Sequence, residues 1–235
     1  MPFLSSVLRV KLAIFAVICF VLWQALRTVP SLSTISSDEH GSRLELPATL
    51  SFVPIEVTVF YEALCPDSRS FITKQLLPAH EKAARLMNVV LVPYGKAQTK
   101  PTVPSGYTFT CQHGPLECQA NMVHACVIEK VPDKDIALRY ISCMISDNME
   151  PEQIGETCAH TFNVPWKPIQ ECSAGKEGAE LLKHYGDVTH GLSPSVSFIP
   201  TVLLNRSQDN QAAILKNLLR EVCRKFEDPK PAECS

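Results

Sequence analysis

Nine cysteines lie between residues 65 and 234, and no other feature restricts the fold of this chain as tightly. They are Cys65, Cys111, Cys118, Cys126, Cys143, Cys158, Cys172, Cys223 and Cys234; a tenth, Cys19, sits in an apolar run near the amino terminus. Thiols at this density belong either to metal sites or to disulfides formed in an oxidising compartment. Zinc modules need closely paired ligands, but no Cys-x-x-Cys occurs, and the spacing Cys111…Cys118…Cys126 fits none of them. No metal and no bound cofactor are expected. Disulfides remain, and because nine is odd, one thiol stays free unless a bridge joins two chains, as an unpaired Cys234 would do. The simplest partition is four bridges and a free Cys65; the spacing does not give the connectivity.

The amino terminus fits the oxidising compartment. Arg9 and Lys11 precede an unbroken apolar run from Leu12 to Trp23. A charged flank before a short apolar core is the secretory-signal pattern, and the run is shorter than the ~20 residues of a spanning helix. Residues 1–30 therefore read as a signal peptide or an uncleaved signal anchor, and only the anchor would keep the chain on a membrane. Residues 31–53, rich in Ser, Thr and Pro, read as a linker or pro-segment, and residues 54–235 as the folded domain. A net charge of −2 without a run of like charges gives no reason to expect a nucleic-acid partner.

Cys65 is placed differently from the other eight. Val57, Val59 and Tyr61 are β-formers in an apolar stretch that reads as a buried strand. Cys65 follows at a helix N-cap position, with Pro66 where the first helical N–H is dispensable. Unpaired backbone N–H groups at a helix start favour thiolate over thiol, and Asp67 opposes them. Cys65 is the candidate nucleophile, the alternative being a buried structural cysteine or half of a disulfide.

Further along, Pro78 reads as opening a second helical stretch to Leu86, and Val89–Pro93 as a second strand. A strand–helix–strand crossover of this length implies parallel pairing. Residues 99–110 read as a Thr/Pro loop. From Leu116 to about Tyr185 apolar residues recur at helical spacing, and six cysteines fall between Cys111 and Cys172, so residues 111–190 read as a disulfide-stapled helical insertion. Ser197–Leu204 is another apolar run, and Gln211–Phe226 reads as one amphipathic helix. Asn205-Arg-Ser is the chain's only glycosylation sequon, which makes Asn205 a glycan candidate.

The segment Cys111-Gln-His113-Gly-Pro-Leu-Glu117-Cys118-Gln-Ala-Asn121-Met-Val-His-Ala-Cys126, together with Tyr61-Glu-Ala-Leu-Cys65, Leu91-Val-Pro-Tyr-Gly-Lys-Ala-Gln98, Ile169-Gln-Glu-Cys172 and Val222-Cys223, resembles the gamma-interferon-inducible lysosomal thiol reductases over roughly residues 55 to 234. The resemblance implies an α/β, thioredoxin-like fold with a disulfide-bonded helical insertion, and reduction of disulfides in proteins delivered to endosomes and lysosomes. It implies that Ile199-Pro200-Thr201 is a cis-proline loop beside the thiol, where the backbone of an extended substrate would pair. It also exposes a departure. The reductases carry Cys-x-x-Cys at the active site, whereas here Ser68 occupies the fourth position. Serine cannot form the disulfide that resolves an enzyme–substrate intermediate; Ser68 can at most donate a hydrogen bond to the Cys65 sulfur.

Cys65, Ser68 and Pro200 are thus the expected catalytic set, with Cys111, Cys118, Cys126, Cys143, Cys158, Cys172, Cys223 and Cys234 as structural bridges. His113 and Glu117 stay outside it, because no spacing ties them to Cys65. The expected activity is thiol-dependent reduction of protein disulfides in the endosomal, lysosomal or secretory lumen, or after secretion, with glutathione or free cysteine as the resolving thiol. The alternative is a mixed-disulfide partner, or a binding protein on an inactive reductase scaffold.

Overall fold

The computed structural model describes residues 18–20, 22–24, 52–147 and 149–235. The chain divides into residues 1–49 and 50–235, and of the first unit only two short helical pieces are described. Most of the expected signal segment and most of the expected linker lie outside the described residues. Among those described, no helix is long and apolar enough to cross a membrane.

Strand β1 (Ile55–Tyr61) is central. It pairs in parallel with β2 (Met87–Pro93), with Val59 opposite Leu91, and antiparallel with β5 (Thr201–Leu204), with Val59 opposite Val202. Alternation along β1 serves both faces of this sheet. Val57, Val59 and Tyr61 join the main core with Ile72, Leu76, Tyr140 and Met144, while Phe60 packs on the other face with Val92, Leu203 and Cys65.

Between β1 and β2 runs a helical crossover made of α1 (Pro66–Phe71), a π-turn segment (Ile72–Leu76) and α2 (Leu77–Ala83). Pro78 does not open a second helix, as the sequence suggested, but sits inside this continuous run. A proline has no N–H to give to the turn before it, and the wider π turn, in which the Leu77 N–H reaches the Ile72 carbonyl, accommodates the gap. The expected loop at 99–110 instead contains a hairpin, β3 (Gln98–Pro101) with β4 (Tyr107–Thr110). Alternating Tyr107, Thr108, Phe109 and Thr110 have strand propensity that the flanking prolines obscured.

Five helices follow: α3 (Pro115–Lys130), α4 (Lys134–Ser146), α5 (Pro151–Thr161), α6 (Trp166–Ala174) and α7 (Lys176–His190). Helix α3 is buried on most sides and packs against the other four and against β2. Disulfides Cys126–Cys172 and Cys143–Cys158 join α3 to α6 and α4 to α5. The last expected helix is split into α8 (Gln211–Lys216) and α9 (Leu218–Cys223) at Asn217, whose extended backbone lets its side chain accept from the Arg220 N–H and cap the second piece.

Candidate active site

The carboxyl end of β1 turns through Glu62, Ala63 and Leu64 into α1. Cys65 takes the N-cap position with extended backbone, its N–H donating to the Glu62 carbonyl at 3.3 Å and its own carbonyl accepting from Arg69 N–H at 3.0 Å. The residue is 8 % exposed. Its Sγ lies 4.0 Å from the carbonyl oxygen of Ile199, and the Ile199–Pro200 peptide is cis. The Thr201 hydroxyl closes this loop by donating to the Phe198 carbonyl at 2.6 Å. Cys65 and Pro200, remote in sequence, therefore lie side by side. Next to them is a groove of about 340 Å3 lined by Asp67, Phe71, Lys74, Phe198, Ile199 and Pro200.

The other eight cysteines of the folded unit are bonded as Cys111–Cys118, Cys126–Cys172, Cys143–Cys158 and Cys223–Cys234. Among the described residues, the free ones are Cys19 and Cys65. Ser68 is fully buried in the first turn of α1, and its hydroxyl accepts from the backbone N–H of Glu62 at 3.3 Å. Among the described residues Ser68 makes no bond to the Cys65 sulfur, and the bond its oxygen accepts fastens the turn. The reason is positional: at the third helical residue the hydroxyl faces the end of β1.

The turn itself is held by α3, which contacts three successive residues. The Tyr61 hydroxyl meets His124 Nδ1 at 3.0 Å, and Ala63 N–H donates to Asn121 Oδ1 at 2.9 Å. Between them Glu62 approaches His113 and Glu117. Burial pushes the Tyr61 phenol well above its usual range and the His124 imidazole down to about 3. The phenol therefore keeps its proton and the ring is neutral, so the two share one hydrogen bond without a charge. Burial also raises the Glu62 carboxyl above the usual carboxylate range; the Lys96 N–H that bonds it opposes this, and the Glu117 charge adds to it.

His113, Glu117, Asn121 and His124 belong to the signature segment. Sequence spacing links none of them to Cys65, nor does it mark Glu62, although that residue is a carboxylate directly after a buried strand. That position, together with a His-x-x-x-Glu pair enclosed by two cysteines, was the available signal. Asn205, the glycan candidate, is exposed at the far end of the sheet, where its Oδ1 accepts from Glu56 N–H at 2.9 Å.

Comparison with known proteins agrees with this geometry. Two solved structures share the fold: a DsbA from Chlamydia trachomatis (TM-score 0.51, 16 % identity, 82 % of this chain and 98 % of that one), and MdbA, a thiol-disulfide oxidoreductase from Actinomyces oris (TM-score 0.52, 13 % identity, 77 % and 83 %). The fold is thus thioredoxin-like, with helices α3–α7 inserted between β4 and β5. A family model described as gamma interferon inducible lysosomal thiol reductase matches residues 56–162. The mouse gamma-interferon-inducible lysosomal thiol reductase is 37 % identical over 186 residues, covering 77 % of this chain and 72 % of its own. A like protein from Anopheles gambiae is 34 % identical over 197 residues, covering 77 % and 80 %. On the family match, these identities and the shared fold, the chain belongs to the gamma interferon inducible lysosomal thiol reductase family.

Proposed function

We propose that this protein reduces disulfides of protein substrates through a single thiol, Cys65, and that a small external thiol completes the cycle. Family membership supports a thiol–disulfide oxidoreductase. The observation that carries the finer reading is the placement of one reduced sulfur at the start of α1 beside the Ile199–Pro200 loop, with a buried serine at the fourth position.

The Cys65 thiolate attacks one sulfur of the substrate disulfide, forming a mixed disulfide, and the other sulfur leaves as a thiolate that takes up a proton. A molecule of glutathione or free cysteine then attacks the Cys65 sulfur, releasing the second substrate thiol. A second molecule attacks that adduct and restores the Cys65 thiolate. One substrate disulfide and two small thiols become two substrate thiols and one small-molecule disulfide. The groove beside Pro200 supports an extended, partly apolar substrate segment, with Phe198 on its wall and Lys74 at its side.

A second reading shares the first step only. Ser68 is buried and engaged with Glu62, so no group one turn along the helix releases the substrate. Without an external thiol the mixed disulfide would persist, and the protein would retain its clients, or bind them on a scaffold that turns nothing over. The lysosomal name of the mouse relative supports a lysosomal or secretory-pathway setting. A glycan at Asn205 fits that setting, because the side chain is exposed and its amide nitrogen takes no part in the bond to Glu56.

The test is reduction of a denatured disulfide-bonded protein, with and without glutathione, by the wild type and by Cys65→Ser. Glutathione-dependent turnover that disappears in the variant is the expected result. Equal rates for both proteins would refute the assignment, and complexes that build up on a non-reducing gel without turnover would mark the second reading.

A further inference from the structure

The carboxylates of Glu62 and Glu117 and the imidazole of His113 converge at a place the thiol chemistry does not use. Their ligand atoms all lie within 4.8 Å of one another. His113 Nδ1 is 2.6 Å from Glu117 Oε2 and 3.4 Å from Glu62 Oε2. Both carboxylates are almost wholly buried, at 1 % and 0 % exposure, while the His113 side chain keeps 33 % of its surface open to solvent.

Each carboxylate has one oxygen already committed. Glu62 Oε1 accepts from Lys96 N–H at 2.8 Å, and Glu117 Oε1 accepts from His113 N–H at 3.0 Å. This leaves the Oε2 atoms to face the imidazole, the arrangement by which outer hydrogen bonds orient metal-binding carboxylates. Glu62 Oε2 is buried with no hydrogen-bond partner. A buried carboxylate oxygen without a donor is costly unless a cation or proton meets it. The surrounding backbone is shaped to this cluster. Gly95, at a φ of +62°, leaves space that any Cβ would take from the Glu62 side chain, and brings Lys96 N–H to Oε1. The Cys111–Cys118 bridge encloses His113 and Glu117, fixing loop and helix start together.

We propose that Glu62, His113 and Glu117 form a divalent transition-metal site, suited to zinc, that ties the turn leading into Cys65 to the start of α3. One imidazole nitrogen and two carboxylate oxygens are a donor set that zinc accepts, with the fourth position open to water on the exposed side of His113. A tetrahedral ion with bonds of ~2.1 Å holds its ligands about 3.4 Å apart, so the Glu62–His113 separation already fits, and Glu117 Oε2 draws back from its 2.6 Å contact with His113 Nδ1 to admit the ion. The ion would act three residues ahead of the nucleophile, as a clamp on the turn. The inference is independent of turnover by Cys65.

Cobalt(II) added to the purified, metal-stripped protein near neutral pH reports the site directly. The expected result is one ion per chain, visible d–d absorption without a thiolate charge-transfer band, and displacement by zinc. Alkylating Cys65 beforehand leaves binding unchanged. His113→Ala, at a partly exposed position, and Glu117→Gln each weaken binding by more than about 100-fold, with near-ultraviolet dichroism confirming that the variants are folded. Failure to take up cobalt or zinc would show a cluster held by protons alone and overturn the proposal. Binding that survives His113→Ala, or that vanishes when Cys65 is alkylated, would place the ion elsewhere and overturn it equally.

Discussion

At position 68 the difference between one sulfur and two is decided by a single atom. Ser68 Oγ is buried and accepts from Glu62 N–H, so the hydroxyl holds the turn and offers no second thiol. Ser68→Cys should cost about 1 kcal/mol for that bond and yield a protein whose mixed disulfides resolve without added glutathione; single-turnover kinetics on a labelled disulfide peptide measure this. His124 supplies a second prediction at this scale. Its pKa falls from ~6.5 in the unfolded chain to about 3 in the fold, because burial disfavours the imidazolium. A depressed folded pKa contributes stability that is present above the unfolded value and lost as pH falls toward the folded one. Between about pH 6.5 and about pH 5 that loss is about 2 kcal/mol. His124→Gln keeps a hydrogen-bonding partner for the Tyr61 hydroxyl but does not titrate, so its urea midpoint should fall less than that of the wild type over the same interval.

Among the elements, α3 buttresses the catalytic turn. It reaches Tyr61 through His124 and Ala63 through Asn121, and its first turn approaches Glu62 through Glu117. The signature segment is thereby the part of the chain that packs on the turn between β1 and α1. Asn121→Ala should lower stability by about 1–3 kcal/mol, the cost of losing a partner in a buried hydrogen bond. It should also change the rate at which Cys65 is alkylated, while a substitution at half-buried Gln119 on the same helix, whose side chain bonds Glu152, leaves that rate unaltered.

In the molecule as a whole, a three-stranded sheet carries a large helical insertion, and disulfides supply part of the cohesion between them. Cys126–Cys172 closes the longest loop, with a sequence separation of 46, against 11 for Cys223–Cys234. Removing it by a double substitution to alanine should cost about 2–5 kcal/mol, and exceed the cost of removing Cys223–Cys234 by about 1 kcal/mol from loop entropy. Denaturant midpoints of the two double variants decide this.

The sequence alone determined the local elements around the nucleophile. A β-rich run, then Cys65, then Pro66 specifies strand, cap and helix start, because each depends on backbone propensities a few residues apart. It also limited the folded unit to an odd number of thiols. Local rules failed where the signal was mixed: at Pro78, where a π turn let the helix continue, and at Tyr107–Thr110, where strand propensity lay among prolines. Tertiary structure decided which residues meet. The separation of Cys65 from Pro200, and of Glu62 from His113 and Glu117, is bridged by strand pairing and by burial of α3, which no local period encodes. The same holds for the disulfide partners, since pairing depends on distances between helices that packing of the core sets. Serine at position 68 is legible in the sequence; that its hydroxyl turns to the Glu62 backbone depends on β1 and α1 being folded against each other.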